Sequence, residues 1–376
     1  MQNTRIGRLV IMLAALLLTG STGALPVAVR AQSMQPPQSP QQATLTINAT
    51  PAEQQAALGR WTREARLAAK PLPMPAGAAD KAAPQAEPQV QLGQAGAVPG
   101  GAPQAGAQQA AREQFPEEWR LLEELAGATP QAEPLAGPVP FGTAGVYTSY
   151  LGNFYTQMHT AYPYVAVGKL YVGGGWCSAS VISPNNIIVT AAHCVYNTDT
   201  NTWLTGWVFV PADRNGAAPY GSFPWSSATV LGGWTGAADS LAGRAFDVAL
   251  IRLGNNSVGN PVTAYTGWLG RAWDGSYVQN LHAIGYPSNL NSGRYTYICT
   301  AESFYQAADI LGMGCNMMHG SSGGPWILGF TPYAASGNWV YSVVSGGLFG
   351  PTWGNTFYGP RFSSSNIVPL CTTFSC

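Results

Sequence analysis

The chain has 376 residues, 46% hydrophobic and only 9% charged, with 17 Lys/Arg balanced by 17 Asp/Glu. The balance holds in each part, ten against ten before residue 141 and seven against seven after it. No basic field therefore argues for nucleic acid, and no acidic run for a cation-binding tail.

Composition is uneven along the chain. All six Cys, all 17 Tyr and 10 of the 12 Trp follow residue 140, whereas 17 of the 29 Pro fall within residues 1–140. The second part can bury a core, while most of the first cannot offset its own chain entropy.

The first 31 residues read as a secretory signal. Arg5 and Arg8 precede an apolar run over 9–18, and small residues follow, with cleavage points at Ala24 or Ala31. The run is too short to span a bilayer, and a lipidation cysteine is absent there. The expected destination is the extracellular space, without a stable membrane anchor. Export also permits disulfides, and six cysteines is an even number.

Residues 32–140 read as a pro-segment, rich in Ala, Gln and Pro and largely disordered, with two short helices. The stretch 52–70 lacks Pro and carries Leu58, Trp61 and Leu67. The stretch 116–126 has Pro116 in a first-turn position, Glu117 and Glu118 at the positive helix end, and Gly127 as a stop. Phe115, Trp119 and Leu122 then share one face. Two readings stand: a helix that docks on the following domain to inhibit it or help it fold, or a transient helix in a spacer.

From Phe141 to Cys376 the texture is β. Runs rich in Val, Ile, Tyr and Trp recur between Gly, Pro and Asn turns, over 164–172, 178–182, 187–190, 207–210, 228–231, 248–253, 282–284, 326–328 and 341–344. Many short strands without long helical periodicity indicate an all-β barrel or sandwich and disfavour a parallel α/β sheet.

Three motifs carry chemistry. His193 ends the run Thr190-Ala191-Ala192-His193-Cys194, a strand end beside a cysteine, where a base could hold one tautomer. Such a histidine is otherwise a packed structural residue. Asp247 opens the apolar strand Asp247-Val248-Ala249-Leu250-Ile251, where a carboxylate is costly unless it caps in solvent or accepts from a buried donor. Asp239, in a Gly/Ala/Ser loop, is its nearby competitor. Ser322 lies in Gly320-Ser321-Ser322-Gly323-Gly324-Pro325, where tight glycines can present a hydroxyl and offer backbone amides to an anion.

Together these motifs resemble the trypsin-like serine endopeptidases. Thr190–Cys194 matches T-A-A-H-C, the Asp247 strand matches D-V-A-L-I-R-L, and 320–325 matches G-[DN]-S-G-G-P. The resemblance covers 141–376 and implies two packed antiparallel six-stranded β-barrels with a cleft between them. It implies His193 as base, Asp247 as its orienting partner and Ser322 rather than Ser321 as nucleophile. Gly320 and Ser322 would supply the oxyanion hole.

The branch closest in look is the bacterial glutamyl endopeptidases, through Gly285-Tyr286-Pro287 and the pro-segment. Ser321 stands where trypsin has an aspartate that pairs with a freed N-terminus, so latency is expected from the pro-segment instead. The resemblance puts Asn316 at the base of the primary pocket and Ser345, Gly346 and Gly347 on the edge that pairs with substrate backbone. It places Val344 where glutamyl endopeptidases use a histidine, which favours a neutral or apolar side chain over glutamate. His319 is either a substrate contact or a solvated loop residue.

The resemblance pairs Cys177 with Cys194. The other local pairs, Cys299 with Cys315 and Cys371 with Cys376, are two choices among fifteen connectivities. No spacing suits zinc, and neither metal nor cofactor is expected. The partners expected are protein or peptide substrates and the chain's own pro-segment. The competing function is a catalytically silent protease homologue that serves as a binding or adhesion module.

Overall fold

The computed structural model describes residues 39–75, 94–126, 147–152, 158–237, 240–334, 337–350 and 354–376. The expected signal over 1–31, the domain boundary at Phe141 and Asp239 lie outside them.

A closed six-stranded antiparallel barrel forms the first half of the β region. Val208–Pro211 pairs with Val167–Val172, which pairs with Gly175–Ser183, then Ile187–Thr190, then Ala249–Leu253, then Phe223–Leu231, which returns to Val208–Pro211. A second sheet carries Asn280–Gly285, Tyr297–Ala307, Ile310–Gly314, Pro325–Leu328, Trp339–Val343, Gly346–Gly350 and Gly354–Pro360. Amide bonds from Phe362 to the Tyr341 carbonyl and from Ser345 to the Tyr358 carbonyl, both 3.0 Å, draw its two ends together. The β region is thus all-β, as expected, with one closed six-stranded barrel and a second sheet. Gly270–Trp273 and Tyr147–Leu151 extend the second sheet, and the helix Ile367–Phe374 closes the chain.

The barrel strands are buried on both faces. In Val208–Pro211, Phe209 points into the barrel core while Val208 and Val210 join an outer cluster with Tyr171, Trp176, Tyr286, Ala57 and Trp61. A strand in a sheet alternates sides, so the second apolar set needs a cover, and residues before 141 provide one. The helix Pro51–Arg60 brings Ala57, and its C-cap Trp61 donates Nε1–H to the Gly206 carbonyl at 3.0 Å. Arg66, buried in the helix Arg63–Ala68, donates to the carbonyls of Trp61 and Gly216.

The segment expected to be largely disordered is therefore regular over 39–75 and 94–126. Thr44–Asn48 adds a strand to Phe223–Leu231, and Gly96–Val98 adds one to Gly270–Trp273. The expected helix over 52–70 is two helices broken at Trp61, and Pro116–Ala126 forms as read. Its Trp119 is 3% exposed and donates Nε1–H to the Pro219 carbonyl, which is a docked rather than a transient helix.

The start of Pro51–Arg60 has a local cause. Thr50 Oγ1 accepts from the Glu53 amide, and a Glu53 carboxyl oxygen accepts from the Thr50 amide at 2.7 Å, a reciprocal cap. Thr50→Ala should cost about 1 kcal/mol, read as a lower midpoint in urea unfolding with unchanged slope. An unchanged midpoint would mean that tertiary packing alone holds this helix.

Candidate active site

Two glycines set the backbone of the Ser322 loop. Gly323 has φ +78°, and a Cβ there would lie 2.0 Å from Thr190 Oγ1 and 2.8 Å from the Ala191 amide. The Gly-Gly turn is thus pressed against the strand end that carries His193. Gly320 has φ +88°, and a Cβ there would lie 2.4 Å from Trp176 Nε1. Both positions demand glycine for conformation and for space.

Ser322 is held from behind, since its carbonyl accepts from the Ser178 amide at 2.7 Å. Ser178 Oγ donates to the Gly320 carbonyl at 2.9 Å, so one residue of the first barrel braces both ends of the loop. Cys177, next to Ser178, is joined to Cys194, next to His193. The loop and the histidine are thereby fastened to the same strand. The structure likewise joins Cys299 to Cys315 and Cys371 to Cys376.

Asp247 is fully buried. Its Oδ1 accepts from the His193 amide at 2.9 Å, and its Oδ2 accepts from His193 Nδ1–H at 2.8 Å. Ser345 Oγ also donates to Oδ2. Burial pushes this carboxyl up, but the His193 ring, the Arg244 guanidinium and the Ser345 hydroxyl together hold it below the usual carboxylate range. An ionised Asp247 accepts only, which fixes the proton on Nδ1 and leaves Nε2 as the free lone pair.

His193 Nε2 and Ser322 Oγ are both buried and have no hydrogen-bond partner among the described residues. The two are not hydrogen-bonded to each other in this structure, an arrangement common where a nucleophile and base tighten only around substrate. The amides of Ser321, Gly323 and Gly324 are taken by the carbonyls of Met318, Val344 and Ser321. Among the described residues those of Gly320 and Ser322 have no acceptor, and two free amides beside a free hydroxyl can hold an oxyanion. Ser321 turns away, its Oγ donating to the Met318 carbonyl at 2.7 Å.

The remaining expected residues spread around this centre. Asn316 has its Oδ1 3.7 Å from Cys299 Sγ, and its carbonyl accepts from Asn289 Nδ2. Gly346 and Gly347 lie on Gly346–Gly350, which pairs on one side with Gly354–Pro360 and ends the sheet among the described residues. Ser345 spends its hydroxyl on Asp247, which leaves the backbone contact to substrate expected of it unaffected. Val344 is fully buried in an apolar cluster with Met317, Cys299 and Cys315. His319 is no solvated loop residue, because its Nδ1 accepts from the Met74 amide at 2.9 Å.

Three neighbours escaped the sequence reading. Arg244, buried beside Trp234 at 5.8 Å from its ring, faces Asp247 electrostatically, and nothing in Gly243-Arg244-Ala245-Phe246 signals that. Trp234 stands 6.4 Å from the His193 ring, centroid to centroid. Residues 72–75 line a cavity of about 470 Å³ with His193 and Trp234. Their signal was readable, since Pro71, Pro73 and Pro75 alternate and force an extended chain. Among the described residues, the His/Cys cluster close enough for a metal is Cys177, His193 and Cys194, and its sulfurs are spent in a disulfide.

Residues 152–366, more than half of the chain, match the family model described as trypsin. A glutamyl endopeptidase of Bacillus licheniformis is 29% identical over 137 residues, which is 36% of this chain and 40% of that protein. An extracellular metalloprotease of Bacillus subtilis is 31% identical over 117 residues, 30% of this chain and 34% of that one. The chain thus spans between a third and two fifths of these curated relatives. The crystal structure of protease Anisep from Arthrobacter nicotinovorans is 26% identical with a TM-score of 0.49, and covers 61% of this chain and 98% of its own.

Proposed function

The chain belongs to the trypsin family of serine endopeptidases, and from that premise we propose that it is secreted as a zymogen and hydrolyses peptide bonds through Ser322, His193 and Asp247. The observation that carries this is the arrangement around Ser322. An imidazole locked by a buried carboxylate has a free Nε2, and Ser322, in a loop packed against the end of the His193 strand, has a free hydroxyl with two free amides in the same loop.

In this reading the Ser322 hydroxyl attacks the substrate carbonyl carbon while His193 Nε2 takes its proton. The carbonyl oxygen gains the negative charge and is met by the Gly320 and Ser322 amides. The His193 imidazolium, stabilised by Asp247, gives its proton to the leaving amine. An acyl-Ser322 remains; His193 Nε2 then takes a proton from a water as that water attacks the acyl carbon, and returns it to Ser322 Oγ as the acid product departs. Secretion is supported by the N-terminal 31 residues and the three disulfides.

A peptide library incubated with the processed protein and read by mass spectrometry tests the activity and the pocket together. Cleavage is expected after neutral or apolar residues, since the positions that the resemblance assigns to the pocket hold the uncharged Asn316 and Val344. Cleavage confined to bonds after Glu, Arg or Lys would refute that preference, and a folded, processed protein that cuts nothing would refute the activity.

A further inference from the structure

The chain that covers the first barrel does not stop at its outer face. Beyond the helix Arg63–Ala68, Lys70–Pro71 pairs in parallel with Gly175 and Trp176. Three alternate amides then point into the body of the protein. Lys70 donates to the Gly174 carbonyl at 3.2 Å, Leu72 to the Trp176 carbonyl at 3.0 Å, and Met74 to His319 Nδ1 at 2.9 Å. Every residue between them, Pro71 and Pro73, and the next, Pro75, lacks an amide hydrogen. The strand thus has donors on one edge alone, and its outer edge offers no N–H to a further strand. Its prolines also pre-set the extended backbone, which lowers the entropy lost on docking.

Met74 is the end point of this path. It is 7% exposed and packs in one apolar cluster with Met317, Val344 and the Cys299–Cys315 bridge. Cys315 and Met317 flank Asn316 in the loop that runs through His319 to Ser322. Resting on the function proposed above, we propose that residues 70–75 are a built-in inhibitory strap whose Met74 fills the primary pocket, and that the pocket therefore takes apolar side chains of the size of Met or Leu.

The strap also carries a reason not to be cut. The bond after Met74 leads into Pro75, so its nitrogen belongs to a pyrrolidine ring and the residue before it is restricted to extended backbone. The ring fills the space a leaving N–H would occupy, and the bond sits as an occupant rather than a substrate. Leu72 precedes Pro73 in the same way. The strap faces the Gly175–Ser183 strand, and among the described residues nothing adds to the other side of Gly346–Gly350.

Labelling of Ser322 in the unprocessed full chain by a fluorophosphonate probe reads the strap directly. Met74→Asp places a charge in the apolar pocket, and Leu72→Pro removes the amide bound to Trp176. Each is expected to speed labelling at least tenfold, while Met74→Leu stays within about twofold of the parent. Equal rates in parent, Met74→Asp and Leu72→Pro would overturn the strap.

Hydrogen exchange at the Leu72 and Met74 amides in full-length Ser322→Ala reads docking without chemistry. Protection is expected, and exchange at the rate of a free peptide would overturn the proposal even if the variants fold poorly. Protected amides with no labelling in any form would instead sink the protease reading, and the inhibition with it. Finally, Met74→Asp should react faster with a Met-terminated peptidyl phosphonate than with its Glu or Arg counterparts by tenfold or more, and the opposite order would refute Met74 as the pocket's occupant.

Discussion

Ser322→Ala, measured on processed protein with a peptide the parent cleaves, is expected to lower kcat by about 10⁶-fold with little change in Tm. The hydroxyl makes no hydrogen bond among the described residues, so its loss leaves no new orphan, and the backbone amides of Gly320 and Ser322 stay in place. Triad members act as a unit, which is why removing the nucleophile alone removes nearly all of their joint effect. Asp247→Asn should cost about 10⁴-fold, because an amide can donate and so no longer dictates which His193 nitrogen carries the proton. It also leaves Ser345 Oγ and the His193 amide competing for one oxygen. Equal activity in parent and Ser322→Ala would discard Ser322 as nucleophile, and Ser321→Ala would then be the variant to make.

The candidate site residues were legible because each sits in a short motif whose neighbours have structural duties. A Cβ on Gly323 would strike Thr190 Oγ1 at the end of the His193 strand and one on Gly324 would lie 2.3 Å from the Ile284 carbonyl oxygen, so each constraint shows as a glycine within the motif itself. The barrel was legible only in part. Strand bounds such as Ile187–Thr190 follow the apolar run, yet Tyr297–Ala307 has exposed Glu302 in its middle and is a strand because Asn280–Gly285, Ile310–Gly314 and Tyr147–Leu151 pair with it.

The role of residues before 141 was legible least. Thr44–Asn48 is a strand because Phe223–Leu231, far along the chain, needs a neighbour on that edge. The same distance hides why Trp61 and Trp119 are there. The clue ran the other way: Tyr171, Val208 and Val210 are apolar on the side of the barrel that would otherwise face water, and such a surface predicts a cover. With each face of these strands taken separately, the outer one already requires apolar partners from another part of the chain.

That cover has a weak point in acid. His159 lies beneath the helix Pro116–Ala126, in a small cavity with Trp119, Leu122, Thr160, Arg214 and the Arg112–Glu123 ion pair. Neither ring nitrogen has a hydrogen-bond partner among the described residues. Burial, and then the nearby Arg214 charge, lower its pKa from 6.5 to about 3. Only the neutral ring fits the folded state, while the unfolded chain takes up a proton near 6.5. The contribution is therefore intact above about pH 6.5 and falls away as the pH drops toward about 3. At about pH 4.5 the gap of about two units corresponds to about 3 kcal/mol, approaching about 5 kcal/mol below about pH 3. Urea unfolding from about pH 7.5 to about 4.5 should show the parent losing about 3 kcal/mol more than His159→Leu, in which no group titrates at that place. Parallel pH slopes for the two proteins would show that His159 is solvated or protonated in the folded state, and that the helix over it is not acid-sensitive through this residue.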